Sequence, residues 1–343
     1  MQAGYQLYGA RASFYTQKAA VMLAAMQLPH EVLHKTAENG ADIELAAGGY
    51  DKVPVLRTPC DDWVTDSTQI GLHLDTEHPE AAILPTDPVM RCAALIADDW
   101  ADEWLLRAAL HWRVTDADNR RWTARHVAAN LSGDDDPGED PGSAYDHPAV
   151  AYISDFWARV GGVNRNGPEY REEILGLLTR TADALSAHFE QRPFLLGSRV
   201  SLPDFAIFGM LEAGLLWEPS AKAFFEPRWP AMAAYRERVR SAHAGTGEWD
   251  SAATAPETLA RVFDALGSDF APFLTANAAA TAAGEKEARW GDVTMRARGF
   301  TEKCRQATGA DIAALTADQR TALRSVVGAD LLAAYWAADT LSD

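Results

Sequence analysis

The chain has 343 residues, 48% of them hydrophobic, and its 31 basic against 49 acidic residues give a formal net charge of −18. That length suits more than one domain and a sizeable core, and the charge excludes a nucleic-acid backbone or an anionic membrane as partner, because both need a positive face. Three widely separated cysteines, Cys60, Cys92 and Cys304, form neither a disulfide framework nor a C-x-x-C ligand pair, which points to a reducing cytoplasm. No basic segment precedes an apolar run at the N-terminus, so no signal peptide is expected. No apolar run approaches the ~18 residues of a membrane helix.

In chain order, Tyr5 to Gly9 reads as a short strand, Thr16 to Leu28 carries Ala, Leu and Met at helical spacing, and His30 to Thr36 reads as a second strand. After a polar link come two short strands, "VPVLRT" and "WVTD", and a helix in which Ile70, Leu72 and Leu74 can face a core. The order is β-α-β, link, β-β-α. From Asp87 onward strand signals nearly vanish. Asp87 as N-cap and Pro88 at the first helical position open one long helix running to Val114. Further helices are expected in "EYREEILGLLTRTADALSAHFEQ" and "SLPDFAIFGMLEAGLLW", with the Asp-, Gly- and Pro-rich stretch Ser132 to His147 as a solvated loop that lacks the calcium-loop pattern. Beyond about Arg240 helices should continue to the end, the last opened by a Thr316–Gln319 capping box. Leu259, Val262, Leu266, Phe270 and Phe273 are expected to pack on the preceding helices.

Two local features carry chemistry. Pro54 stands between Val53 and Val55, where it removes a ladder donor. Either it marks an edge strand with no ligand, or the Val53–Pro54 bond is cis and turns the backbone N–H and C=O of Val53 toward an extended peptide. In "DSTQI", Asp66 ends a strand and Ser67 begins a helix. Ser67 thus offers a hydroxyl and an N–H at the positive end of the helix, where a carboxylate is stabilised, and Asp66 can take an ammonium. Together they suit the α-amino-acid end of a ligand. A lone Asp-Ser is more often a plain N-cap.

With V-P-V-L (Val53 to Leu56), Asp66–Ser67 and "GSRVSLPDF" (Ser201 as cap, Asp204 three residues on, Val200 against Phe205) in order, the chain resembles a cytosolic glutathione transferase across residues 5 to about 240. The resemblance implies a thioredoxin-like N-terminal α/β domain (1–82) that binds glutathione as co-substrate. It further implies an all-α domain (87–240) holding the substrate pocket, followed here by a helical extension (241–343). The implied reaction is attack of the glutathione thiolate on an apolar electrophilic small molecule; a non-catalytic binding or scaffold protein of the same fold is the alternative. The implied assembly is a cytoplasmic homodimer, with its glutathione sites near the interface.

"ARASFYTQKAAVML" resembles the loop of the serine-using classes, S-P-F-x-x-[RK], with Ser13 in the serine place, Phe14 replacing the proline, Tyr15 the aromatic and Lys18 the basic residue. A hydroxyl at a helix N-terminus can donate to the glutathione sulfur and favour thiolate. Tyr15 and Tyr8 are the alternatives. Lys52 is at a place where related classes bind the glycine carboxylate, with Lys35 and His34 as alternatives. Trp104 and Trp112 on the long helix are expected to line the electrophile pocket, although a stripe at helical spacing also describes a core. Asp98, Asp99, Asp102 and Glu103 lack a Glu-x-x-His partner, so no metal is expected, and they read as a solvated or dimer-facing surface. The extension is expected to narrow the substrate pocket.

Overall fold

The computed structural model describes residues 4–134, 137–140, 145, 147–160 and 165–336. Strand β1 (Tyr5–Gly9) alternates buried and half-buried residues, as a period of two requires. Helix α1 (Phe14–Ala25) crosses to β2 (His30–His34), which pairs parallel to β1. A short helix α2 (Gly40–Ala46) lies in the expected link, its one buried residue, Ile43, leaving no period to read. Strands β3 (Val55–Arg57) and β4 (Trp63–Thr65) are antiparallel, β3 also pairs antiparallel to β1, and α3 (Ser67–Glu77) follows. The sheet order is β2-β1-β3-β4, a thioredoxin-like unit in the expected β-α-β, β-β-α order.

Helix α4 (Pro88–Trp100) starts on Asp87, whose carboxylate accepts the N–H groups of Val89 and Met90 at 2.9 and 3.0 Å. Its course continues through a wide π turn, Ala101–Leu105, into α5 (Leu106–Thr115). The long helix is therefore present, with one irregular turn in the middle. Helices α6 (Ala117–Ser132) and α7 (Ala149–Val160) were not anticipated: on α6, Asn119, Thr123, Arg125, His126 and Asn130 are buried beside Trp122, Ala124, Ala128 and Ala129, so polar residues interrupt the apolar spacing of its inner face. Part of the acid-rich stretch expected as a solvated loop, residues 135–136, 141–144 and 146, lies outside the described residues. Helices α8 (Arg171–Phe189), α9 (Leu202–Met210) with a second π turn at Leu211–Leu215, α10 (Pro219–Phe225) and α11 (Pro230–Arg240) complete this part. The Asp204 carboxylate accepts from the Ser201 N–H and hydroxyl, the Leu195 N–H and the Tyr235 hydroxyl, all at 2.7–2.8 Å. Those donors satisfy a fully buried acid at the head of α9.

The extension consists of α12 (Glu257–Ala282), a hairpin of β5 (Glu287–Trp290) and β6 (Val293–Arg296), α13 (Gly299–Ala313), α14 (Ala317–Val327) and α15 (Ala329–Tyr335). The hairpin corrects an all-helical expectation. Gly291, at φ +51°, and Asp292 make a two-residue turn between Trp290 and Val293, a hairpin signal that outweighs the helical composition around it. The Thr316–Gln319 capping box is formed. Leu259, Val262, Leu266, Phe270 and Phe273 are all buried, and one apolar core runs from Leu7 of the sheet through Trp100 and Phe205 to Phe273 and Leu331.

Candidate functional site

The first strands and α3 meet the middle of the long helix around a cavity of about 370 Å³. Its floor is Val53, Pro54, Asp66 and Ser67; Tyr15, Asp102 and Glu103 form one wall, Tyr50 and Lys52 another, and Phe300 and Cys304 of α13 the roof. The Val53–Pro54 bond is cis. The β3 ladder begins at Val55, opposite Tyr8 and Thr65, and neither polar backbone group of Val53 has a hydrogen-bond partner among the described residues.

Asp66 is the N-cap of α3 at φ +72°, one oxygen accepting from the Thr68 and Gln69 N–H groups at 3.0 and 3.1 Å. The Ser67 N–H and hydroxyl remain uncommitted among the described residues, although the residue is only 2% exposed. Burial raises the Asp66 pKa, with the Lys18 charge opposing the rise.

Beneath this floor lies a buried ionic group. The Lys18 ammonium, 1% exposed, is 2.7 Å from Asp98 Oδ1 and 2.7 Å from Asp102 Oδ2, and it donates to Thr68 Oγ1 at 3.0 Å. Thr68 in turn donates to Asp98 Oδ2 at 2.7 Å. Asp102 Oδ1 is buried with no hydrogen-bond partner among the described residues. Burial pushes the Asp102 carboxyl up to about 7, Lys18 holding it down and Asp98 adding to the rise. Burial works against the charge on Lys18, but Asp102 and Asp98 outweigh it and raise its pKa. Asp99 accepts from Thr308 and Tyr335 at 3.2 and 3.1 Å, and burial, then Asp98 and Glu103, push its carboxyl well above the ordinary range. Glu103 accepts from Thr301 and lies 3.5 Å from Arg298. The solvated surface expected for these four acids is thus replaced by a mostly buried group: α1 covers it from one side and α13 from the other, and neither neighbour is adjacent in sequence.

The structure brings Val53, Pro54, Asp66, Ser67, Lys52 and Tyr15 to one cavity. It does not bring the other candidates there. Ser13 caps α1, its Oγ accepting from the Thr16 N–H at 3.2 Å, with its hydroxyl proton unclaimed among the described residues. Tyr8 does not line the cavity; its ring is stacked on Trp63 with centroids 5.8 Å apart. The Tyr15 phenol donates to the Asp102 carbonyl at 2.9 Å, and burial, then Glu103 and Asp102, push its pKa well up. Trp104 and Trp112 are core residues, 1% and 5% exposed. Trp104 packs on Phe270 and Phe273 of α12 and Trp112 on Phe224, so the extension and α10 fill the space where a pocket was expected. Lys52 is exposed and paired with Asp51 at 2.9 Å. Lys35 is spent on the carbonyls of Tyr50 and Lys52, and His34 on Asn130.

Tyr50, Thr68, Asp102, Phe300 and Cys304 were not anticipated at the site. Thr68 adjoins the Asp66–Ser67 motif, which was a usable signal; nothing local marks Phe300 or Cys304. The Cys304 thiol is pushed up by burial, Asp99 and Glu103, which disfavours thiolate there. Among the described residues no group of three or more His, Cys, Asp or Glu side chains is placed to hold a metal, and no helix is long and apolar enough to cross a membrane.

Residues 7–82 match the glutathione S-transferase N-terminal domain and residues 168–238 the glutathione S-transferase C-terminal domain. The chain thus carries an N-terminal and a C-terminal domain of the glutathione S-transferase type, to which the helices and hairpin beyond Arg240 are added. No curated protein matches it. Among solved structures it is similar to the beta-etherase LigF of Sphingobium sp. strain SYK-6 at 19% identity, covering 71% of this chain and 97% of that one with a TM-score of 0.49. A glutathione S-transferase of Rhodospirillum rubrum F11 is 19% identical over 69% of this chain and 88% of that one, with a TM-score of 0.44. The Tau class enzyme MiGSTU of mango, Mangifera indica, is 21% identical over 77% and 98%, with a TM-score of 0.40.

Proposed function

We propose that the chain is a glutathione transferase that binds glutathione across Val53, Asp66 and Ser67 and presents its thiolate to an apolar electrophilic small molecule. The observation that carries this reading is the convergence, in one cavity, of the free backbone groups of Val53 with the uncommitted Ser67 N–H and hydroxyl. An extended cysteinyl peptide pairs with Val53 as an added strand does. Its γ-glutamyl carboxylate meets Ser67 at the positive end of α3, its ammonium meets the free oxygen of Asp66, and its glycine end points toward Lys52. Ser13, at the head of α1 with a hydroxyl proton unclaimed among the described residues, is the donor to the sulfur; Tyr15 is already committed and Tyr8 is stacked on Trp63, outside the cavity lining.

The acting form is proposed to be a cytoplasmic homodimer, which sedimentation equilibrium of the purified chain checks. Calorimetric titration with glutathione tests the site: Asp66→Ala and Ser67→Ala each weaken binding about tenfold or more, while Ser13→Ala keeps binding and loses turnover of an aryl or alkyl halide. No heat of binding on the native chain overturns the reading. One observation favours a second reading, glutathione binding without turnover: Ser13 stands off the cavity wall. Full-strength binding with no turnover across a panel of electrophiles selects it.

A further inference from the structure

The extension bears a groove of about 740 Å³ that runs along α12, lined on its flanks by β5 and α15, and it shares no lining residue with the cleft. Buried Phe263, Ala271 and Leu331 lie in it, with Ser268, Pro272 and Ala333 exposed beside them. Pro272 has no N–H to give the Ser268 carbonyl, which leaves a backbone acceptor at the groove without its usual helical donor.

The charges that line this mostly apolar surface are separated by sign. Asp264 marks one end, its Oδ1 3.5 Å from where a β-carbon on Gly328 would stand, and Asp330 follows two residues after Gly328. Both acids are exposed, and neither side chain has an ion pair or hydrogen bond among the described residues. Arg289 enters from β5. Its neighbour Trp290 meets Phe273, ring centroids 5.7 Å apart, nine positions along α12 from Asp264, or about 14 Å at 1.5 Å per residue. Arg289 pairs with Glu287 of its own strand, both well exposed, and so exposed a pair is worth little and exchanges partner readily.

Such a face complements itself. Turned about a two-fold axis near Ser268, a second copy sets its Arg289 against Asp264 and its Asp264 against Arg289, so both pairs form together. At a net charge of −18 two copies repel each other over most of their surface, whereas here apolar area meets apolar area and the charges attract across the axis.

We infer that this groove is the surface through which two copies of the chain associate, α12 crossing α12. The inference rests on the homodimer reading above, and it puts the contact on the extension instead of beside the glutathione cleft, where the resemblance to glutathione transferases set it.

Sedimentation equilibrium of the full-length chain tests it, with glutathione titration as a second readout. Asp264, Ser268 and Arg289 are all exposed, so substitutions there leave the core alone. Ser268→Lys, which sets two like charges face to face at the axis, weakens dimerisation at least tenfold. Asp264→Arg and Arg289→Asp each weaken it about tenfold, and the double variant returns to within twofold of native, because the pairs form again with their signs exchanged. Glutathione affinity stays at its native value throughout. A native chain that remains monomeric overturns both the homodimer and this surface, and leaves the groove to a partner of another kind. A native dimer that survives the three single substitutions, or a double variant no better than either single one, overturns this surface alone and moves the dimer to another face.

Discussion

At the scale of single residues, the unusual feature is a lysine with no contact to water. Lys18 is the shared partner of Asp98 and Asp102, and removing one partner of a buried ionic group leaves the rest uncompensated. Lys18→Met is therefore expected to lower stability by about 3–5 kcal/mol, read from urea unfolding. Asp102→Asn has a different signature, because it leaves Lys18 paired with Asp98. In the native chain the Asp102 carboxyl titrates near 7 when folded, mainly through burial, and near 3.9 when unfolded. The folded state thus holds that proton more tightly, and the stability gained from it is full below about pH 4 and lost as pH rises through about 7. Lys18 and Tyr15 on α1, Asp66 on α3, Asp98 and Glu103 on its own helix and Arg298 beside α13 surround it. The melting temperature of Asp102→Asn relative to native should climb between pH 5 and pH 8; a flat difference would show that Asp102 is ionised throughout. The gathering of Val53, Pro54, Asp66 and Ser67 in one cavity was legible in the sequence because each is placed by its own backbone or that of its neighbour. Asp98 and Asp102 were misread because their partners Lys18 and Thr68 come from two other helices, and a charge seen alone in sequence looks like a solvated one.

At the scale of elements, the placement of the α1 head depends on how closely α9 approaches it. A β-carbon on Gly209 would overlap the Phe14 carbonyl oxygen, so only glycine lets α9 support the loop that carries Ser13 and Tyr15. Gly209→Ala is expected to cut kcat/KM for glutathione conjugation by tenfold or more, with a smaller change in melting temperature, because a displaced hydroxyl misses the sulfur. The π turn at Ala101–Leu105 has a similar positioning role. It interrupts the regular repeat where Asp102 and Glu103 must face the cavity while Trp104 faces α12, and such turns recur at functional sites. The sequence shows the long helix clearly and the turn not at all, since a single wide turn leaves the apolar spacing on either side intact. Helix α6 escaped for the opposite reason: its buried face mixes Trp122 and alanines with polar residues, the latter satisfied by partners such as Glu218, which accepts from Asn119.

At the scale of the whole molecule, the extension is part of the core and not an appendage. Phe273 is fully buried, stacks on Trp104 at 4.8 Å and meets the Arg298 guanidinium at 4.9 Å. Phe273→Ala should cost about 3–5 kcal/mol, measured by chemical denaturation, and ending the chain at Arg240 should give an aggregating product, because the apolar faces under α12 and α14 would meet water. Normal solubility of the shortened chain would show that the first two domains fold alone. The two-domain order was legible because three motifs and a change from alternating to helical spacing mark it. The reach of the extension back over α3 was not, because contacts between distant segments leave no periodic trace.

That reach sets an order of events during synthesis. The floor of the cleft, from Val53 to Ser67, leaves the ribosome long before the Phe300 and Cys304 of its roof. At about 5–20 residues per second, the interval is on the order of ten seconds or more. A nascent chain therefore presents an open, unroofed cleft for longer than most ligands need to find it, and a molecule that enters then is enclosed when α13 docks.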